Sequence, residues 1–512
     1  MRFDRVEPVE PLEQRRLHCQ QLQESLLQHR QLIIAANRSP TTITTDEDGA
    51  VQFQRGGGGL VTALIGLVQN VEAVWIASAS NDTERQWKSG IVPLAESESA
   101  INVEFITPDE KAYDWYYNTI SNPLLWFLQH SMWDIISSPT IDQTTWQAWN
   151  EGYVQVNQEF GEAIANKIKS SQHRSLVFLQ DYHLYLAPRF IRQAAGSRKK
   201  YALTHFIHIP WPGSEDWGIL PPPMRQDILE GLCAVDLLGF QTREDSLNFI
   251  RTVESHLPNS HVNYRNGRVW YRNHITYVRD FPISIDVDAL KTLAESEQVR
   301  EYRQQFDELV QDFQVIVRID RTEPSKNIVR GFQAFEELLA LYPEHIGKVI
   351  FLAVLVPSRL KVEEYQNYLD DLMAAAGRVN ARFGTSGWEP IRVLLGEDYP
   401  RAIAALQIYD VLLVNSIADG MNLVAKEGPV VNQRSGVVLL SERVGAQQQL
   451  EAGATIISPI DIYNTARAIH DALVLPMDER RKRADRLRCL VEEADVNDWF
   501  CQQLRVIAGL NL

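Results

Sequence analysis

A chain of 512 residues exceeds one ordinary domain, and two domains are the expectation. Apolar residues at 45% and charged residues at 23% exclude a wholly disordered chain. The formal net charge of -16 argues against a nucleic-acid partner, and no run of apolar residues is long enough to predict a membrane span.

The first thirty residues are rich in Gln, Glu, Arg and Leu and lack the apolar block of a signal peptide, which predicts a cytoplasmic protein. Leu12, Leu22 and Leu26, with Cys19 between them, sit near helical spacing. They predict an N-terminal helical extension over residues 1–30, read as a contact for a homo-oligomer. The four cysteines, Cys19, Cys233, Cys489 and Cys501, are scattered without metal-ligand spacing and read as reduced thiols.

Short apolar runs then alternate with helical stretches. Ile33 to Ala36, Val74 to Ala77, Leu176 to Leu179 and Thr204 to His208 read as strands of a parallel sheet. After a charged helical stretch, Val287 to Gln311, the pattern restarts with Gln314 to Arg318, Val349 to Val354, Arg392 to Leu395, Val411 to Val414, Val437 to Leu440 and Ala454 to Ile457. The boundary falls near Ile285, giving an α/β chain of two doubly wound domains, 31–285 and 286–485. Ligands of such domains lie at the carboxyl ends of the strands, in the cleft between the halves.

The residues at those ends are the candidates. Gly56 to Gly59 before a helical run offer an anion cradle or a plain surface loop. Asp181 and His183 close one strand and His208 the next. Arg321 and Lys326 flank a strand-to-helix loop, where both can face one anion; Arg318 competes but falls inside the strand. Asp419 and Gly420 form a turn, a helix start is expected from Met421 onward, and Glu427 follows two turns after Asp419. Singly, each also fits a structural histidine, a solvated basic loop or a helix cap.

Together, and in this order, AANR, YYNTISNPLLW, DYHLYLAP, HIPWP, RTEPSK, PSR, ADGMNLVAKE and LLSERVGA resemble the trehalose-6-phosphate synthase family of retaining glycosyltransferases, from about Ile33 to Trp499. The resemblance implies a GT-B type fold, with two Rossmann-like domains facing across a cleft and a C-terminal helix (486–512) packing back on the first. It implies an acceptor site in the first domain and a nucleotide-sugar site in the second. By motif, Arg38 and Arg359 match the arginines on the acceptor's phosphate, and Tyr117 and Trp126 the acceptor's aromatic pair. Asp181 matches the acid on the acceptor's hydroxyls, and His208 the histidine near the transferring sugar. Arg321 and Lys326 match the pair on the leaving diphosphate. Asp419 with the backbone of Gly420, Met421, Asn422 and Leu423 matches the donor-sugar loop, and Glu427 the carboxylate on the ribose. No metal and no cofactor is implied beyond the substrate nucleotide-glucose, UDP- or GDP-linked.

The implied activity is transfer of glucose to a phosphorylated acceptor, glucose 6-phosphate first. Alternatives are a related synthase acting on another phosphorylated acceptor (glucosylglycerol-phosphate synthesis or cyclitol coupling by a pseudo-glycosyltransferase) and a non-catalytic sugar-phosphate sensor. The sharpest departure is WIASAS, where Ser78 stands at a tryptophan position of the family's acceptor motif. Either the pocket is altered there, or Trp75 or an aromatic from Tyr113–Tyr117 restores its wall.

Overall fold

A computed structural model describes residues 12–46, 48–55, 73–93, 100–136 and 138–510. The glycine run at 56–59 lies outside them. Among the described residues, two large sheets organise the chain. The first has ten strands, in the order His261–Asn263, Arg268–Tyr271, His274–Asp280, Leu237–Phe240, Tyr201–Phe206, Arg174–Gln180, Arg30–Ala35, Ala73–Ser78, Ala100–Ile106 and Ser89–Pro93. The seven from His274–Asp280 to Ala100–Ile106 are parallel neighbours. Counted in chain order, they stand as 3-2-1-4-5-6-7, and the direction of winding reverses between Arg30–Ala35 and Arg174–Gln180.

The second sheet is wholly parallel: Ile391–Leu395, Val349–Val356, Gln314–Arg321, Val411–Val414, Val437–Ser441 and Thr455–Ile457. Counted alike, its order is 3-2-1-4-5-6, reversing between Gln314–Arg321 and Val411–Val414. At such a reversal the flanking helices leave to opposite faces and open a crevice beyond the carboxyl ends of the two strands. Each sheet thus prepares one ligand site.

The strands expected from apolar runs are present, because a parallel strand covered on both faces must be apolar throughout. Val349–Val356, for example, is buried along all but its last residue. The expected Thr204 to His208 strand starts earlier and ends at Phe206, leaving His208 in the loop beyond it. Strands with mixed polarity escape that signal, namely the hairpin of Thr41–Thr45 with Val51–Arg55, Ser89–Pro93, and the edge strands between His261 and Asp280. The charged stretch after Ile285 forms two helices, Val287–Ala294 and Glu297–Val310, started by side-chain caps from Asp286 and Ser296.

The chain ends meet. The C-terminal helix Val496–Gly509 sets Phe500 against Phe178, with centroids 5.5 Å apart, and Trp499 edge-on to Phe206 at 5.1 Å, both on strands of the first sheet. The N-terminal helix Leu12–Leu27 lies along it, tied by Arg15–Asp498 at 3.2 Å and Arg16–Asp495 at 2.7 Å. This packing corrects the expectation of reduced thiols throughout. Cys19 and Cys501, separated by 482 positions, are joined in a disulfide with Cα atoms 5.6 Å apart. Only Cys233 and Cys489 among the described residues are free thiols. A crosslink closing so long a loop restricts the unfolded chain by about 2–4 kcal/mol. Reduction should therefore lower the denaturation midpoint of the wild-type protein, measured with and without a thiol reductant. The Cys19→Ser/Cys501→Ser double variant should show the lower midpoint under both conditions.

Candidate active site

The two winding reversals carry the candidate residues. In the first sheet, Arg30–Ala35 leads to Asn37 and Arg38, and Arg174–Gln180 leads to Asp181. In the second, Gln314–Arg321 leads to Glu323 and Lys326, and Val411–Val414 leads to Asp419. The halves touch where Gly420 packs on the His208 carbonyl; a Cβ on Gly420 would collide with it, and one on Gly445 would collide with the Gly420 carbonyl. Glycine is required at this seam because backbone meets backbone.

On the side of the first sheet, Trp115–Leu125 forms a π-helical stretch, widened by a turn in which Asn122 Nδ2 donates to the Tyr117 carbonyl at 3.0 Å. It delivers Tyr117 and, just beyond, Trp126. Arg38 donates to the Tyr117 hydroxyl at 3.2 Å, and the two aromatics Tyr113 and Tyr117 stack with centroids 5.8 Å apart. Burial opposes ionisation of the Tyr117 phenol, but Arg38 and Arg359 outweigh it and hold the group below its ordinary pKa. Trp126 is sandwiched between His130, at 4.1 Å ring to ring, and the Arg359 guanidinium, at 4.1 Å from the indole centroid. Arg321 reaches the same ring from 5.8 Å.

Ser78 is buried beside this group. Its amide donates to the Asn37 carbonyl at 3.1 Å, while its Oγ and Asn37 Oδ1 are buried with no hydrogen-bond partner. Trp75 is fully buried next to Arg38, with Nε1 donating to the Arg38 carbonyl at 3.0 Å. Tyr113 stands nearest, its hydroxyl 3.5 Å from Asn37 Nδ2.

Asp181 has φ of 68°, a backbone region costly for any side chain but glycine's. Its Oδ1 accepts from the His208 amide at 3.3 Å, and burial pushes its carboxyl up to about 6. His208 sits between Gln180 Oε1 at 2.9 Å and Gln241 Nε2 at 3.4 Å. That pair fixes the tautomer with the proton on Nε2. Burial, with His205 nearby, lowers the imidazole to about 3, so the ring is neutral. His183 is not part of the contact set around Asp181 and His208; its ring stacks between Tyr117 and Tyr182.

On the side of the second sheet, Lys326 Nζ donates to Asp419 Oδ2. Burial disfavours the Lys326 charge, yet Asp419 and Asp320 raise its pKa. Asn422, at φ of 64°, donates to Asp419 and accepts from the Ala425 amide, so the helix Val424–Val431 begins later than expected from Met421. The turn is braced by the 443–446 segment, whose Gly445 and Ala446 amides donate to the carbonyls of Asp419 and Met421. Glu427, one turn into the helix, accepts from Tyr399 at 3.0 Å, and burial raises its carboxyl to about 7. Arg318, the competitor, is wholly buried and holds Asp320 and the Lys326 carbonyl, so it shapes the loop from beneath.

Several members were not singled out from sequence. Glu323 is fully buried between Arg321 at 3.2 Å and Arg359 at 3.5 Å. Burial would raise its carboxyl, but Arg321, Arg359 and Lys326 hold it below the usual range. Tyr182 accepts from Arg359 and donates to Asn122, and Tyr365 bonds Arg359 from the other side. His130 stacks under Trp126. The acid inside RTEPSK, flanked by the two cations, was the one signal that could have pointed to Glu323.

Residues 30–508 match the model of glycosyltransferase family 20. The chain belongs to that family. It is 34% identical over 473 residues to the alpha,alpha-trehalose-phosphate synthase (UDP-forming) of Schizosaccharomyces pombe, covering 92% of this chain and 89% of that one. It is 35% identical over 451 residues to the 56 kDa subunit of the Saccharomyces cerevisiae enzyme of the same name, covering 87% of each. An Escherichia coli structure bound with UDP-2-fluoro glucose superposes with a TM-score of 0.78 at 26% identity, covering 93% of this chain and 98% of that one. A Burkholderia xenovorans alpha,alpha-trehalose-phosphate synthase in complex with glucose-6-phosphate does so with 0.78 at 26%, covering 93% and 100%. The fold of this family 20 glycosyltransferase is GT-B, with two Rossmann-like sheets.

Glu323→Gln tests the charge network. It leaves the buried Arg359 without this counter-ion, and breaking such a buried pair costs about 3–5 kcal/mol, while Arg321, whose side chain is half-exposed, adds little. A denaturant titration should show a loss of that order, and Glu323→Asp should recover part of it.

Proposed function

We propose that this chain transfers glucose from UDP-glucose to glucose 6-phosphate with retention at the anomeric carbon, releasing UDP and trehalose 6-phosphate. The observation that carries this is the pairing of two winding reversals across one cleft, each with its own cations, Arg38 on one side and Arg321 with Lys326 on the other. The relatives' printed activity supports the UDP donor. In this reading residues 31–285 hold the acceptor and 286–485 the donor, with 1–30 and 486–512 as terminal helices.

In the reaction, the bond from the anomeric carbon to the diphosphate oxygen breaks, and its electron pair leaves with the diphosphate. The acceptor hydroxyl oxygen bonds the same carbon on the same face, and its proton passes to the leaving phosphate. Negative charge grows where Arg321, Lys326 and the start of helix Val424–Val431 can meet it. Lys326 shares its charge with Asp419 until the diphosphate arrives. Arg38 and Arg359 are assigned to the acceptor phosphate, with Trp126 and Tyr117 walling the sugar and Asp181 accepting from its hydroxyls. His208, neutral, is assigned a contact with the transferring sugar, the Gly420–Leu423 backbone the rest of it, and Glu427 the ribose. A sensor would not need Lys326 and Arg321 beside the donor turn. We assign the reaction to the cytoplasm, where the Cys19–Cys501 bridge has to persist against reducing thiols.

One observation favours a second acceptor. Ser78 and Asn37 hold buried, unpartnered polar atoms where the family pattern has an indole. A phosphorylated polyol, with a hydroxyl able to pair with these atoms, is the second acceptor.

Purified protein assayed against UDP-, GDP- and ADP-glucose with a panel of phosphorylated acceptors decides between them. The product is identified by mass and anomeric coupling. Absence of nucleoside diphosphate release in every pairing would overturn the assignment. Lys326→Ala should lower turnover by about 10²–10³, the effect of losing one electrostatic donor. Asp181 accepts best when ionised, so kcat/KM for the acceptor should rise as pH climbs through about 6. Asp181→Asn should lower kcat/KM and flatten that limb.

A further inference from the structure

Far from the cleft, at the amino ends of the strands of the second sheet, two histidines and a carboxylate converge. Glu344 and His345 belong to the single helical turn Pro343–His345, just before the strand Val349–Val356. His470 lies near the end of helix Ile462–Val474. The strand carries the chain about 25 Å from this corner to the Arg359 loop. His345 Nε2 and His470 Nδ1 are 3.0 Å apart, and one ligand atom from each of Glu344, His345 and His470 lies within 4.8 Å of the others.

A hydrogen bond between the rings accounts for the distance alone, with one nitrogen carrying the proton. Three further features reach beyond that. The rings come from different elements, so the contact joins two helices rather than capping one. His345 is 5% exposed, so its ring is held in place by the packing around it. The Tyr342 ring lies flat on His470, 3.7 Å away and 6° from parallel, which fixes the imidazole plane. A tetrahedral zinc ion with bonds of about 2.0–2.1 Å holds two nitrogens roughly 3.3 Å apart. The rings stand within a few tenths of an ångström of that spacing.

We propose that Glu344, His345 and His470 form a zinc site with a fourth position open to water, tying the end of helix Ile328–Leu341 to helix Ile462–Val474. Imidazole nitrogens with one carboxylate suit zinc over the hard cations magnesium and calcium. The site is separate from the transferase cleft, because nothing in it faces that cleft.

The test uses the full chain after EDTA treatment and dialysis. Zinc chloride titrated by calorimetry should bind at one equivalent, raise the midpoint of thermal denaturation, and leave transferase turnover unchanged. His470→Gln keeps a group able to bond His345 and should abolish both binding and the shift. Glu344→Gln, on the exposed side, should weaken binding by about 10-fold or more. Cys489→Ser, removing the exposed thiol, should bind as the wild type does. No saturable binding to the wild type, equal binding by His470→Gln, or binding lost in Cys489→Ser would overturn the proposal.

Discussion

Glu323 is the interaction on which the cleft depends. The chain carries a net charge of -16, yet its proposed substrates are anions, so positive charge has to be concentrated locally. Lys326 and Arg359 are largely buried, where an unpaired charge is too costly, and the half-exposed Arg321 stands beside them. A single carboxylate with no exposure meets two of them and lies in the field of the third. It pairs with the two guanidinium groups that lie over the Trp126 ring, an indole also stacked with His130. One acid therefore orders groups from both halves of the molecule.

The backbone is bent to the same end. Asp181, Arg359 and Asn422 all have positive φ although none is glycine, and all three lie in loops at the carboxyl ends of strands. Such conformations cost of order 1–3 kcal/mol each and persist where surrounding structure overdetermines them. Around Asp181 that structure is the His208 amide and the adjoining strand; around Asn422 it is Asp419 and the helix it caps. Eight further non-glycine residues among the described ones have positive φ, Asn259 and Arg272 for example, so this strain accompanies the cleft without marking it.

Much of this was legible in the chain. Runs such as VIFLAVLV can only be strands buried on both faces, and the residues that follow them are at the cleft by topology alone. Arg38, Asp181, Arg321, Lys326 and Asp419 were visible for that reason. Edge strands such as His261–Asn263 were not, since a half-solvated strand lacks a continuous apolar run. The helix start at Met421 was misplaced because a left-handed Asn422 intervenes, and no local pattern announces a positive φ at asparagine. Glu323 and Tyr182 act through three-dimensional convergence on Arg359, from 36 and 177 positions away, and Tyr365 meets it across the loop six residues on. The same distance concealed the partnership of Cys19 and Cys501.

That partnership gives the molecule a different topology from an ordinary polypeptide. With residue 19 bonded to residue 501, both sheets and the seam at Gly420 lie within a covalent ring trailing two short tails. Cutting the ring once, at any surface loop, opens it without parting the pieces. Neither half can drift away from the other after such a cut. Chain continuity is thus secured twice over, once through the peptide backbone and once through sulfur.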